Sequence, residues 1–234
     1  MWFKNIRLYC FTKPFELSAE DLEYKLSQQS FRPCGTHAKY SYGCTSPLGR
    51  ESDMFTHVVG DYIMICGQRE DKIMPASVIN EALEEQVSQL EQRQDRKIYR
   101  KEKMQLKDDV IATLLPRAFT RTQQIHAYIA VKDNLLIVNT VSASRAEELL
   151  NFLRGTIDAL PVSLPNVNRA PSDVMTRWLL KQDPDDKFDI DQDCELYNPL
   201  DGSNVIHCKS QDLYTDEIQS HLSAGKQVKN LGVT

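Results

Sequence analysis

Alternating apolar and polar side chains open the chain and predict a β-strand over residues 3–11. Ser18 then begins a helix, because acidic residues fill its first turn and Leu22 and Leu26 lie on one face. Further strands are expected at residues 40–44, 54–59 and 61–67. The last strand is apolar throughout, as expected of a strand covered on both faces. A charged loop over residues 68–72 should follow it.

The longest helical pattern begins near Ser77, and its apolar stripe fails at Gln94. A helix that continued to Arg100 would be roughly 36 Å long, at about 1.5 Å per residue. Because its far end has no core-facing stripe, we expect that end to project into solvent. A second helical pattern then returns toward the body and ends at Pro116. The sequence therefore predicts a protruding helical arm over residues 76–116.

A turn at Lys132-Asp133-Asn134 predicts a hairpin of two strands, residues 124–131 and 135–141. A helix over residues 142–154 follows, with Ser144 as its expected cap. Prolines mark residues 160–171 as a linker. Beyond the linker, helices and strands are expected at residues 173–180, 205–209, 215–221 and 226–233.

These patterns predict an α+β fold with mixed sheets and a protruding helical arm. The N-terminal α+β body should combine residues 1–75 and 117–160, the arm should carry a basic tip, and residues 161–234 should form a C-terminal α+β region. The 234 residues, 41% of them hydrophobic, suffice for a sizeable buried core. Charges interrupt the N-terminal apolar segment, and no apolar run is long enough to cross a bilayer. We therefore expect a cytoplasmic protein without membrane contact.

Charge changes this picture, because the segment 92–121 contains nine basic and four acidic residues, a local charge of +5 in a chain of −5. The rest of the chain therefore carries −10. Such polarity suggests that one surface meets a polyanion. We predict that ten cations contact DNA phosphates: Lys72, Arg93, Arg96, Lys97, Arg100, Lys101, Lys103, Lys107, Arg117 and Arg121.

The alternative is a solvated helix face stabilised by ion pairs four residues apart. That alternative is weak, because the residue four positions after Asp95 is Tyr99 and the residue four positions after Lys103 is Lys107. Neither pair has opposite charges. A row of cations binds phosphates whatever the sequence, and no base-reading helix motif is present. We therefore expect DNA binding, mainly to duplex, without sequence preference.

Catalytic chemistry is hard to find in this sequence. No nucleotide-binding, nucleophile-elbow or zinc-protease motif occurs, and the six cysteines contain no CxxC pair. The acidic run over residues 183–195 begins like a calcium loop, but Cys194 and Leu200 stand where glycine and glutamate are needed. We interpret this run as a solvated face or loop. The expectation is a protein that is not an enzyme and that uses no cofactor or metal.

Several phrases resemble the bacterial RdgC family of recombination-associated proteins over essentially the whole chain. The phrases that carry the resemblance are WFKN, PFELSAEDLEYKL, FRPCG, SPLGR, SDMFTHV, KIMPASVINEALE, LLPRAFTR and QDLYTDEIQSHLSAGKQVKNL. The resemblance implies an α+β, nucleoid-associated protein that forms a ring-shaped homodimer around DNA. It also implies a modulator of recombination and replication that restrains the RecA recombinase by occupying DNA. The resemblance implies neither a cofactor nor a catalytic activity.

The resemblance also bears on two residues that could close the ring. Phe119 matches the LPRAF position and belongs either to the core or to a dimer contact, and Gln211 is a weaker candidate for a second contact. RdgC-like proteins continue beyond the point that matches Thr234, so the C-terminal region is expected to be truncated. Two other functions stay open: a protein-binding recombination regulator without DNA affinity, and a metal-dependent nuclease.

Overall fold

A computed structural model describes residues 3–201 and 204–234. The chain divides into unit 1, Met1–Pro165, and unit 2, Asn166–Thr234. Both units contain helices and antiparallel strands, which confirms the predicted α+β class.

A seven-stranded sheet forms the centre of unit 1. Its strands are β1 (Arg7–Phe11), β2 (Tyr40–Thr45), β3 (Thr56–Val59), β4 (Tyr62–Ile73), β5 (Phe119–Ala130), β6 (Leu135–Val138) and β7 (Val162–Ser163). The strand order is β2-β4-β5-β6-β1-β7, and β3 also pairs with β4. Every pairing between these strands is antiparallel. The helices of the unit are α1 (Ala19–Gln28), α2 (Ala76–Gln94), α3 (Arg100–Leu114) and α4 (Ala143–Ile157).

Helices α1 and α4 cover one face of this sheet and build the core of unit 1. Leu22 and Leu26 of α1 and Leu149 of α4 are fully buried in one cluster with the inward residues of the central strands. The N-cap of α4 is Ser142, whose hydroxyl accepts the N–H of Arg145 at 3.4 Å. Ser144, the predicted cap, therefore lies inside the first turn, two residues beyond the N-cap.

Strands β4 and β5 form a long antiparallel ribbon that leads from the core to the arm, and β2 pairs with the other edge of β4 from Cys66 to Asp71. Their register runs without interruption from the pair Tyr62–Ala130 to the pair Ile73–Phe119. The charged loop predicted over residues 68–72 is therefore wrong, because this segment continues β4. The charges alternate between the two faces of the ribbon, and one of the two partner strands, β5, lies about fifty residues further along the chain.

The segment between β4 and β5 is a helical hairpin made of α2 and α3. α2 ends at Gln94, since Asp95 adopts a left-handed conformation with φ 47°, and the predicted continuation to Arg100 is wrong. Val87 of α2 and Val110 of α3 are buried along the hairpin. A short 3-10 turn, Leu115–Arg117, returns the chain to β5.

Unit 2 is a three-stranded antiparallel sheet with two helices. Its elements are α5 (Pro171–Lys181), β8 (Ile190–Tyr197), β9 (Val205–Cys208), α6 (Asp216–Ser223) and β10 (Gln227–Val233), and the strand order is β10-β8-β9. Leu179, Leu196 and Val228 are fully buried in its own core. Part of the acidic run interpreted as a solvated face or loop is strand β8, in which the buried Cys194 and Leu196 alternate with the exposed Asp193 and the half-buried Glu195.

Candidate nucleic-acid interface

The arm concentrates exposed positive charge at its outer end. Of the ten cations proposed from the sequence, all but the half-buried Lys72 are exposed. Among the residues that the structure describes, only Arg96 of this set forms an ion pair, with Glu102 at 2.7 Å. Six exposed cations on the arm have no acidic partner within the described part of the chain: Arg93, Lys97, Arg100, Lys101, Lys103 and Lys107. These side chains are free to contact an anionic ligand.

The turn between α2 and α3, residues 95–99, is fixed by two carboxylates. Glu91 accepts the N–H of Ile98 at 2.8 Å, and the Ile98 side chain is buried. Glu102 accepts the N–H of Tyr99 at 3.2 Å and two hydrogen bonds from Arg96, at 2.7 and 3.0 Å. The guanidinium of Arg96, followed by the N–H of Tyr99, lowers the pKa of Glu102 to about 2. Arg96 therefore supports the turn, whereas its basic neighbours are unconstrained.

Two of the proposed cations lie on the ribbon, on opposite faces. Arg121 is paired across the strands with Asp71, and Lys72 is paired with Thr120. Side chains of directly paired residues share a face, and consecutive residues alternate. On the face of Arg121, Arg69 binds Asp71 at 2.7 Å and also contacts Glu148. The ribbon therefore cannot present Lys72 and Arg121 to the same stretch of DNA as one flat surface.

Phe119 begins β5 at the junction of the ribbon and the arm. Its side chain is 84% exposed, so the alternative of a core residue is wrong for the single chain. Ile73 lies directly opposite on β4 and is also exposed. The two side chains, the ribbon-end pair, form an apolar spot at the base of the arm.

Gln211 belongs to unit 2, in the segment between β9 and α6. Its N–H donates to the carbonyl oxygen of Gln192 in β8 at 3.3 Å, and its side chain is half-buried. Ser210, just before it, adopts a left-handed conformation with φ 52° and donates its N–H to Asp193 at 2.9 Å. The position of Gln211 is thus fixed by its backbone within unit 2.

Acidic and histidine side chains are dispersed. Within residues 3–201 and 204–234, no group of three or more His, Cys, Asp or Glu side chains is arranged to hold a metal ion. His126 is buried in β5, and burial lowers the pKa of its imidazole. No helix in the described parts of the chain is long and apolar enough to span a membrane.

Tyr99 is a feature of the arm that the sequence patterns did not single out. It lies in the turn at the outer end of the arm, between Lys97 and Arg100, and is 73% exposed. The sequence did contain a signal for it, because an aromatic residue in a segment without an apolar stripe has no core to enter. The exposure of Tyr99 follows only once the position of the turn between α2 and α3 is known.

Known proteins that are similar to this chain match it over its whole length. A family model described as "Putative exonuclease, RdgC" matches residues 1–234. A recombination-associated protein RdgC from Pseudomonas fluorescens is 41% identical over 234 residues, which are 100% of this chain and 76% of that protein. The proteins of the same name from Aeromonas hydrophila and Pseudomonas aeruginosa are each 41% identical, with 100% of this chain matched to 77% and 76% of theirs.

Proposed function

This chain belongs to the RdgC family of recombination-associated proteins, and from that premise we propose that it binds DNA, mainly duplex, without sequence preference. One observation carries the proposal: exposed cations without acidic partners are concentrated on the arm of an otherwise acidic chain. Cations that replace condensed counterions on phosphates bind any sequence, and their contribution falls steeply as salt rises.

The salt dependence of duplex binding tests this proposal. A variant with Lys97, Arg100, Lys101 and Lys103 changed to Ala should bind every duplex sequence more weakly. Arg96 is left in place, because it supports the turn through Glu102. Each lost phosphate contact reduces the slope of log K against log salt by about 0.9, so the slope should fall by up to about 3.6. Fluorescence anisotropy at several salt concentrations measures it.

The matched control removes four exposed cations outside the arm: Lys13, Arg32, Lys39 and Arg50. This control changes the net charge by the same amount and should alter the slope much less. Equal effects in the two variants would mean that only overall charge matters. An unchanged slope in the arm variant would place the DNA-binding surface elsewhere.

We further propose that two chains form a ring-shaped homodimer around DNA. The ribbon-end pair of Phe119 and Ile73 supports one contact, since a phenyl side chain that is 84% exposed leaves most of its apolar surface in solvent in the single chain and suits the buried centre of an interface. Gln211 is the candidate for the second contact. Arg117 and, from opposite faces of the ribbon, Lys72 and Arg121 would then add phosphate contacts near the first one.

In the cell, such a ring would restrain the RecA recombinase by occupying its DNA, and would affect recombination and replication. We place the protein in the cytoplasm, associated with the nucleoid. The proposal includes no catalytic activity and no cofactor. It does not require RecA to be touched directly, because occupied DNA is unavailable to any competing protein.

A regulator that binds proteins alone and a nuclease are the competing functions. The word exonuclease in the description of the matching family model makes the second one worth a direct measurement. A gel-shift on linear and circular duplexes, with and without Mg²⁺, separates the three. Intact, shifted DNA supports the proposal; RecA binding without a shift supports the protein-binding regulator; shortening of linear DNA only with Mg²⁺ supports the nuclease.

A further inference from the structure

Tyr99 places a large aromatic side chain in solvent at the outermost turn of the arm. It is 73% exposed, and none of the aromatic pairs among the described residues includes its ring. The arm therefore leaves most of this ring in solvent, although the neighbouring Ile98 is buried. A turn that required only solubility would be served equally well by a small polar residue.

The backbone that carries this ring is held firmly on both sides. Ile98 is anchored by its buried side chain and by the hydrogen bond from its N–H to Glu91. The N–H of Tyr99 donates to Glu102, which Arg96 also binds. A fixed backbone reduces the conformational entropy that a ligand must remove on binding. The turn thus holds the ring in position before a ligand binds.

Three cations are close neighbours of Tyr99 in the sequence. Lys97 precedes it, Arg100 and Lys101 follow it, and all three are exposed and lack an acidic partner among the described residues. An aromatic face flanked by cations is the combination by which proteins bind single-stranded nucleic acid, with the ring stacked on a base and the cations on the flanking phosphates. A positively charged tip also disfavours contact with a basic protein surface.

We propose that Tyr99 stacks on an unpaired base, so that the tip of the arm binds DNA at gaps, bubbles or frayed ends. The inference rests on the proposed DNA binding and adds a preferred class of substrate. In an intact duplex both faces of every internal base are covered by neighbouring bases. An unpaired base leaves a face free, and stacking with an aromatic side chain strengthens its binding roughly 5- to 150-fold.

The test compares two duplexes of equal length and sequence, one intact and one with a six-nucleotide gap in one strand. Wild-type protein should bind the gapped duplex at least about fivefold more tightly. Tyr99→Ala should abolish this difference while leaving the affinity for the intact duplex unchanged. Tyr99→Phe should keep the difference, because stacking needs the ring and not the hydroxyl group.

Tyr24 offers a matched control, since it is 68% exposed on α1 and lies outside the arm. Tyr24→Ala removes an equally exposed aromatic ring and should preserve the preference for the gap. A second readout is the fluorescence of 2-aminopurine placed in the continuous strand opposite the gap. This fluorescence changes when the base stacks on an aromatic ring. Wild type, Tyr99→Phe and Tyr24→Ala should change it, and Tyr99→Ala should not.

Several results would overturn the inference while DNA binding itself stands. These are equal wild-type affinity for the two duplexes, a gap preference that survives Tyr99→Ala, or an equal loss on both duplexes in that variant. A Tyr99→Ala protein with unaltered DNA binding but weakened RecA binding would instead make the tip a protein contact. If wild type binds neither duplex, the proposed function fails and the inference fails with it.

Discussion

Glu102 determines how the outer end of the arm is held, although it lies on the surface. Its carboxylate accepts hydrogen bonds from Arg96 and from the N–H of Tyr99. In the same turn, Glu91 accepts the N–H of Ile98. Two acids at the outer end of the arm thus hold its turn, and most of the cations near them remain available for DNA. Counting charges along the sequence cannot make this distinction, because it depends on which groups the turn brings together.

The pKa of Glu102 makes the order of the turn pH-dependent. Its folded pKa of about 2 lies below the ordinary value of 4.5, so the carboxylate stabilises the turn fully above about pH 4.5. That contribution is lost as pH falls from about 4.5 toward 2. Hydrogen exchange of the Ile98 and Tyr99 amides, corrected for intrinsic rates, should therefore show protection that declines over this range.

Glu102→Gln should reduce the same protection at pH 7 by about two- to fivefold, since an exposed charged contact contributes little. Glu84→Gln, an exposed position on α2 outside the turn, is the matched control and should leave it unchanged. Amides of α4 provide an internal reference for global unfolding at low pH. Turn protection that is independent of pH while the α4 amides stay protected would contradict the assignment.

The arm is a separable element of unit 1. None of the residues between β4 and β5 belongs to the buried cluster that joins the sheet to α1 and α4. The arm buries its own apolar residues, including Val87 and Val110. The strands on either side of it end in the directly paired residues Ile73 and Phe119. This register allows the arm to be removed at a point where the two strands are already adjacent.

Replacing residues 74–118 by Asn-Gly, which forms a two-residue hairpin turn, should therefore leave the body folded. We expect its thermal midpoint to stay within about 5 °C, a shift that corresponds to roughly 1 kcal/mol for a domain of this size. Duplex affinity should fall by more than about tenfold, because the arm cations are gone. Differential scanning calorimetry and anisotropy measure the two effects.

The control for this replacement keeps the arm and changes its six unpartnered cations to Gln. Both variants should lose a similar amount of duplex affinity, because charge and not length supplies the binding. Undiminished affinity in the replaced chain would place the DNA surface on the body. Loss of the cooperative thermal transition in the replaced chain would show that the arm contributes to the fold of unit 1.

Sequence patterns predicted the elements whose contacts are local and missed those that depend on distant partners. The stripe of Leu22 and Leu26 and the turn at Lys132-Asp133-Asn134 identified α1 and the β5–β6 hairpin within a few residues. The outer half of the β4–β5 ribbon was missed, because its strands contain charges and pair across the whole arm. The end of α2 at Asp95 was missed because a left-handed aspartate carries no strong sequence signal.

The candidate site was predictable only as a set of charges. The run of cations was evident from composition, but the ion pair of Arg96, the opposite faces of Lys72 and Arg121, and the exposed ring of Tyr99 follow from three-dimensional placement. The sequence also left Phe119 undecided between core and interface. Phe119 belongs to the outermost pair of the ribbon, next to the arm, and its side chain is therefore exposed to solvent in the single chain.

For the whole molecule, the proposed ring makes a topological prediction. A closed ring escapes from linear duplex by sliding off an end, whereas circular duplex holds it until the dimer opens. Phe119→Ser removes a phenyl ring from the ribbon-end pair, and buried aromatic anchors of interfaces commonly account for 2 kcal/mol or more, which is about 30-fold in the dimer dissociation constant. Retention on circular DNA after a challenge with high salt should therefore fall at least tenfold in the variant.

Stability must be measured alongside retention to interpret this result. Phe119 is exposed in the single chain, so the substitution should change the free energy of unfolding of the monomer by less than about 0.5 kcal/mol. Val141→Ser, an exposed apolar position outside the ribbon, is the control and should keep both dimer and retention. Equal retention of wild type on linear and circular duplex would exclude a closed ring. If sedimentation shows that the Phe119→Ser variant is still a dimer, Phe119 is not part of the dimer interface.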